Sequence, residues 1–193
     1  EKYGYPVASK KISRAIRDLQ NETERNKNVC NLYRTGLTIN GTICLSRKLP
    51  KKWFSLVNAP FKCSEKCCDV MKKEPLHRFE KETGLKAFVG TMAVDSQMRE
   101  KTYLANGCNA FNSKTNPIST PMGFWLEEDV WAYIKKYDVP YSKIYDMGEK
   151  RTGCMFCMFG VHLEKGENRF QRMAKSHPKQ YDYCINKLGI GKV

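Results

Sequence analysis

Apolar positions early in the chain recur at helical spacing. Ile12, Ala15, Ile16 and Leu19 share one stripe, with Lys10, Lys11, Arg14 and Arg17 on the other faces. Ser9 stands where an N-cap belongs, so a helix is predicted to follow it. The polar stretch 21–35 predicts a loop or a frayed helix. "TGLTINGTICLS" then places an Asn-Gly turn between two β-prone runs, the pattern of a short hairpin. "RKLPKKWF" is basic and interrupted by Pro50. Pro75 suits a first helical position and Gly84 a helix stop, which predicts a short helix over 75–83. "LKAFVGTM" reads as a buried strand ending near Gly90. "VDSQMRE" follows as the strand-to-helix segment where open α/β sheets place ligand contacts.

Residues 106–124 are rich in Gly, Pro, Asn and Ser and predict a long loop. "FWLEEDVWAYIKKY" predicts a helix with Val130, Tyr133, Ile134 and Tyr137 as its apolar stripe. Glu127, Glu128 and Asp129 open it and Lys135 and Lys136 close it, matching the helix dipole. "ENRFQRMAKSHP" predicts another short helix, and a last one runs from Pro178 to Gly189 through Tyr181, Ile185 and Leu188. Internal repeats and low-complexity tracts are absent from the sequence.

Composition adds a globular expectation: 193 residues, 41% hydrophobic and 28% charged, fit a single domain over 1–193. The sequence has neither an apolar run of about 18 residues nor a signal-peptide core in its first thirty, so no membrane span and a cytoplasmic location are expected. The formal charge is +14, and residues 1–52 hold twelve Lys or Arg against four Asp or Glu. That field favours an anionic partner, whether nucleic acid, nucleotide or sulfate; the plainer reading is a solvated basic surface.

Nine cysteines are many for such a chain, and without a secretory signal they point to metal binding or thiol chemistry rather than disulfides. Cys67 and Cys68 are adjacent, and Cys154 and Cys157 form a C-x-x-C motif within "RTGCMFCMFG". Two pairs suit one four-coordinate metal or an iron–sulfur cluster. Adjacent cysteines fit zinc less easily, because neighbouring side chains diverge. Cys63 and Cys108 are spare candidates, while Cys30, Cys44 and Cys184 read as small hydrophobes or incidental thiols. Met155, Phe156, Met158 and Phe159 would form a dry shell, and Trp125 and Trp131 read as packing residues. His162 reads more simply as a structural histidine than as a pocket residue, as do His77 and His177.

Four stretches in order resemble the phosphoadenylyl-sulfate (PAPS) reductase family. "CCDVMKKEPL" resembles its Cys-Cys-x-x-Arg-Lys-x-x-Pro-Leu segment, and "RTGCMFCMFG" its Gly-Cys-x-x-Cys segment. "GTMAVDSQMR" resembles its substrate loop, and "PMGFWLEEDVWAYIKKYDVPYSKIYDMG" its Trp- and Tyr-rich run. The chain is most similar to the shorter forms of phages and anaerobic bacteria. The resemblance implies an α/β fold of the adenine-nucleotide alpha-hydrolase type, a Rossmann-like three-layer domain that is here helix-rich. It implies a [4Fe–4S] cluster on Cys67, Cys68, Cys154 and Cys157, with zinc as the alternative. It also implies substrate contacts by Lys72, Ser96 and Arg99. Arg151, beside the C-x-x-C, is added as an oxyanion contact because a guanidinium grips such groups in a bidentate way.

Implied partners are an adenine sulfonucleotide or ATP and an electron donor such as thioredoxin; nucleic acid would suit the charge. The family's Ser-Gly-Gly-x-Asp-Ser phosphate loop and its Glu-Cys-Gly tail do not occur, and Met71 stands where the family has arginine. The chain therefore reads as the C-terminal two-thirds of such a domain, incomplete at its N-terminus and not expected to reduce sulfonucleotides by itself. Two other functions remain open: ATP-dependent sulfur modification of nucleic acid, and a non-enzymatic zinc module that binds nucleic acid.

Overall fold

The computed structural model describes residues 2–111, 117–150 and 152–193. Their helices are α1 (Lys10–Gln20), α2 (Lys27–Thr35), α3 (Lys66–Cys68), α4 (Glu74–Thr83), α5 (Gln97–Asn106), α6 (Glu127–Tyr137), α7 (Arg169–Ser176) and α8 (Pro178–Asp182). The strands are β1 (Asn109–Ala110) and β2 (Ile118–Ser119). The chain packs as two compact units, Glu1–Glu74 with Gly153–Val193, and Pro75–Thr152.

The first unit is built on α1. The Ser9 hydroxyl accepts from the Ile12 N–H at 3.2 Å, which caps the helix as its sequence predicts. Ala15, Ile16 and Leu19 are buried in a core with Val7, Cys30, Tyr33, Leu49 and Cys63. Ser13, also buried, satisfies its hydroxyl by donating to the Val7 carbonyl at 2.7 Å. Gln20 extends the same service to the loop opposite: its amide donates to the carbonyls of Leu56 and Phe61, and its oxygen accepts from the Cys63 N–H.

Of the loop or frayed helix expected over 21–35, the second part forms a helix, α2. Burial of Cys30 and Tyr33 against α1 stabilises a segment whose own sequence is too polar to announce itself, and the Tyr33 hydroxyl faces Asp18 at 3.4 Å. Gly36 ends it in the left-handed conformation at φ +81°, its N–H bonded to the Leu32 carbonyl. The expected hairpin follows in minimal form, one Leu37–Ile43 bridge closed by a Thr38–Thr42 hydrogen bond of 2.9 Å. α7 matches expectation, capped by Asn168; the last expected helix begins at Pro178 as α8 but widens into a π turn over Tyr183–Lys187.

In the second unit Ser96 caps α5, and α6 spans the predicted residues. The stripe of α6 is only half covered: Tyr133 and Tyr137 are 47% and 57% exposed. Within the long loop expected over 106–124, β1 and β2 pair antiparallel, Asn109 opposite Ser119 and Ala110 opposite Ile118. "LKAFVGTM" is not the buried strand that its composition predicts. It makes one parallel bridge, Phe88 to Ser119, and Phe88 is 80% exposed. A parallel strand needs cover on both faces, and the described residues provide none over Phe88. The helix-rich character holds, but these residues do not form a three-layer sheet.

Candidate metal centre

Cys67 and Cys68 lie on α3, the single helical turn after Glu65. Beyond them the backbone widens into a π turn over Asp69–Lys73, in which the Glu74 N–H donates to the Asp69 carbonyl five residues back. Pro75, with no N–H to give the Met71 carbonyl, follows directly and removes the next regular bond. Lys72 projects from this turn, exposed and without an ion pair among the described residues.

Cys154 and Cys157 form the other half. The Cys157 N–H donates to the Cys154 carbonyl at 3.0 Å, folding the C-x-x-C into a turn. The turn is held from two sides. Arg169 donates from Nη1 to the Cys157 carbonyl at 3.2 Å, while its Nε is bound by Glu164 at 2.6 Å. Gly160, at φ +78°, donates its N–H to the Ala8 carbonyl at 2.8 Å and ties the turn to the start of α1. Met158 packs on the core and Phe156 lies 6.0 Å from the Tyr183 ring, but Met155 and Cys154 are exposed, so the expected dry shell is open on that side.

Burial first, and then the neighbouring thiols of Cys68 and Cys157, together push the Cys67 thiol up to about 11. Thiols far apart in sequence thus share one neighbourhood within the first unit, and Cys154 stands one turn from Cys157. Among the described residues no group of three or more His, Cys, Asp or Glu has the geometry to hold a single metal ion. Four soft sulfur donors in two pairs are the ligand type that iron–sulfur clusters use.

Cys63 and Cys108, the spare candidates, belong to different units. Cys63 is fully buried in the core, its thiol pushed up to about 11 by burial. Burial likewise raises Cys30 and Cys184. Cys108 belongs to the second unit, where its carbonyl accepts from Thr120. His162 packs edge-on against Trp53, with centroids 5.1 Å apart.

Two predicted anion contacts serve the start of α5. The Ser96 hydroxyl accepts from the Arg99 N–H at 3.3 Å, and the Arg99 guanidinium pairs with Asp95. Arg151 lies outside the described residues. Four residues of the first unit escaped sequence reasoning: Glu65, Arg14, Arg17 and Arg169. Glu65 is 5% exposed, and its Oε1 accepts from Arg14 Nε at 3.0 Å and Arg17 Nη1 at 2.6 Å. A lone acid in the basic stretch "KCSEKCC" was the available signal.

Residues 12–159, which include all four candidate ligands, match the phosphoadenosine phosphosulfate reductase domain, and the chain belongs to that family. The family carries the α/β class expected from the motifs. An adenosine 5'-phosphosulfate reductase of Lysinibacillus sphaericus is 34% identical over 92 residues, covering 47% of this chain and 37% of that protein. One from Staphylococcus haemolyticus is 35% identical over 92 residues, covering 47% and 36%. An uncharacterised protein of Methanocaldococcus jannaschii is 27% identical over 170 residues, covering 80% of this chain and 40% of that protein. The chain thus spans two fifths or less of the length of these relatives. No solved structure matches. No helix among the described residues is long and apolar enough to cross a membrane.

Proposed function

We propose that the first unit holds a [4Fe–4S] cluster on Cys67, Cys68, Cys154 and Cys157, and that the protein serves sulfonucleotide reduction or sulfur transfer. What supports this is that both cysteine pairs belong to the first unit, where the bond from the Cys157 N–H to the Cys154 carbonyl folds the C-x-x-C into a turn. Family membership and the adenosine 5'-phosphosulfate reductases among the relatives support the reaction class. A bound cluster supplies positive iron among the thiolates and a tunable charge beside an anionic substrate.

The protein's own groups have separable tasks. Arg169 and Gly160 hold the C-x-x-C turn in place, so its two sulfur atoms need little reordering on binding. Lys72, four residues after Cys68 and without an ion pair among the described residues, would meet the sulfate or phosphate of an adenylylated nucleotide. Ser96, Arg99 and Arg151 are further candidate anion contacts, Arg99 exchanging its Asp95 partner for the substrate. Electrons would come from a thioredoxin-type dithiol.

Purification without oxygen, a visible spectrum, and iron, sulfide and zinc analysis test the centre. Absorption near 400 nm (roughly, as thiolate-bound clusters show) with about four iron and four sulfide per chain is expected. A colourless protein carrying one zinc would overturn it.

A further inference from the structure

Two cation-lined pockets flank α1 in the first unit. One, of about 250 Å³, is bordered by Lys10, Lys11, Arg14, Arg47 and Lys73. The other, of about 290 Å³, is bordered by Lys2, Arg17, Lys62 and Lys66. They abut across a single atom. Arg14, from the first pocket, and Arg17, from the second, both donate to Glu65 Oε1, at 3.0 and 2.6 Å. The Glu65 side chain is 6% exposed, so its charge is spent on holding these guanidinium groups and not on screening the surface.

The charge is in excess of its local partners. Nine cationic side chains border the two pockets against three carboxylates, Asp18, Glu65 and Asp69. Lys10, Arg47, Lys62 and Lys66 are exposed and make no ion pair among the described residues. Crowding such charges costs repulsion that an anionic partner relieves. A single nucleotide would occupy one pocket and leave the other unneutralised. A phosphodiester chain, with its regularly repeated charges, spans both. Tyr3, 47% exposed at the edge of the second pocket, adds a ring on which a base can stack.

We propose that this two-pocket face binds the phosphodiester backbone of a nucleic acid, with Lys10 and Arg47 gripping one part of the strand and Lys62 and Lys66 the next. Glu65 acts as a positioning residue that fixes Arg14 and Arg17 between them. Cys68, a candidate ligand, also borders the first pocket, while none of the four proposed ligands borders the second, so a surface that uses both pockets goes beyond the sulfonucleotide reading.

The test is fluorescence anisotropy of the whole chain with labelled single-stranded DNA and RNA of about 20 nucleotides, titrated at salt from about 50 to 200 mM. Binding should weaken linearly on a log–log plot, by about 0.7 in slope for each phosphate contact on a single strand. The double variants Lys10→Glu/Arg47→Glu and Lys62→Glu/Lys66→Glu should each lose affinity about tenfold or more and reduce the slope. Iron content and melting temperature on the same samples report whether the fold is kept. On the unaltered chain, oligonucleotide should protect Lys10 and Lys62 together from acetylation, read by mass spectrometry. Three results would overturn the proposal: no binding at the lowest salt, protection confined to one pocket, or displacement of the oligonucleotide by equimolar ATP, which would mark a free-nucleotide site.

Discussion

Arg169 binds the main-chain carbonyl of Cys157 at 3.2 Å while Glu164 holds the same guanidinium through its Nε and Nη2. One side chain from α7 therefore fixes the turn that carries two of the candidate ligands. Arg169→Ala should lower stability by about 1–3 kcal/mol, the cost of leaving partly buried partners unbonded. Iron bound per chain should fall with it. Arg169→Lys should recover less than half of the loss, because an ammonium cannot reproduce the fork. Urea unfolding and iron analysis on the three proteins check this; equal iron content in all three would show that the turn needs no such support.

The same pair makes a pH-dependent contribution. Burial by itself would raise the Glu164 carboxyl, but the side-chain and main-chain N–H groups of Arg169 outweigh it and hold the pKa below its ordinary value. A depressed folded pKa gives stability that is present above the unfolded value of about 4.3 and lost as pH falls through the folded one. The stability gap between the natural protein and Glu164→Gln should therefore be widest near neutrality and close in acid. Denaturant titrations across that range measure it, and a gap independent of pH would contradict the assignment.

Glu65 distinguishes its two arginines. The Arg17 side chain is 25% exposed and that of Arg14 is 59% exposed. Arg17→Ala should cost about 2 kcal/mol, since it strips the nearer donor from a buried carboxylate, and Arg14→Ala less than about 1 kcal/mol. Equal effects in thermal unfolding would mean that solvent screens both pairs alike.

Replacing cysteines should sort ligands from core residues. Cys67→Ser, Cys68→Ser, Cys154→Ser and Cys157→Ser should each lower iron and sulfide content and bleach the visible band. Cys63→Ser should keep both and instead lower stability by about 1–3 kcal/mol, because its hydroxyl would be buried in the apolar core. Loss of iron on Cys63→Ser, with stability unchanged, would reassign the ligand set.

Local chemistry made much of this protein legible before any coordinates. Ser9 and the Ile12–Leu19 stripe announce α1, the stretch "ENRFQRMAKSHP" announces α7, and the charge gradient from Glu127 to Lys136 marks α6. Each signal acts within a turn or two of its own residue, so neighbours in sequence suffice to read it. The cysteine pairs were legible too, as motifs whose order along the chain carries the family resemblance.

What tertiary structure decided depends on partners remote in sequence. α2 is a formed helix because Cys30 and Tyr33 bury against α1, whereas its polar residues alone predict only a loop or a frayed helix. The segment around Phe88 has strand-forming composition but lacks cover, and remains almost unpaired. Glu65 acquires its meaning only when folding brings Arg14 and Arg17 to one of its oxygens from about fifty residues away. Cys67 and Cys157, far apart in sequence, likewise come into one compact unit only on folding, where Gly160 bonds to Ala8 and Met158 packs on the α1 core. Periodicity and caps are short-range and written in consecutive residues. Burial and charge pairing are gained between distant ones, so only the packed chain determines them.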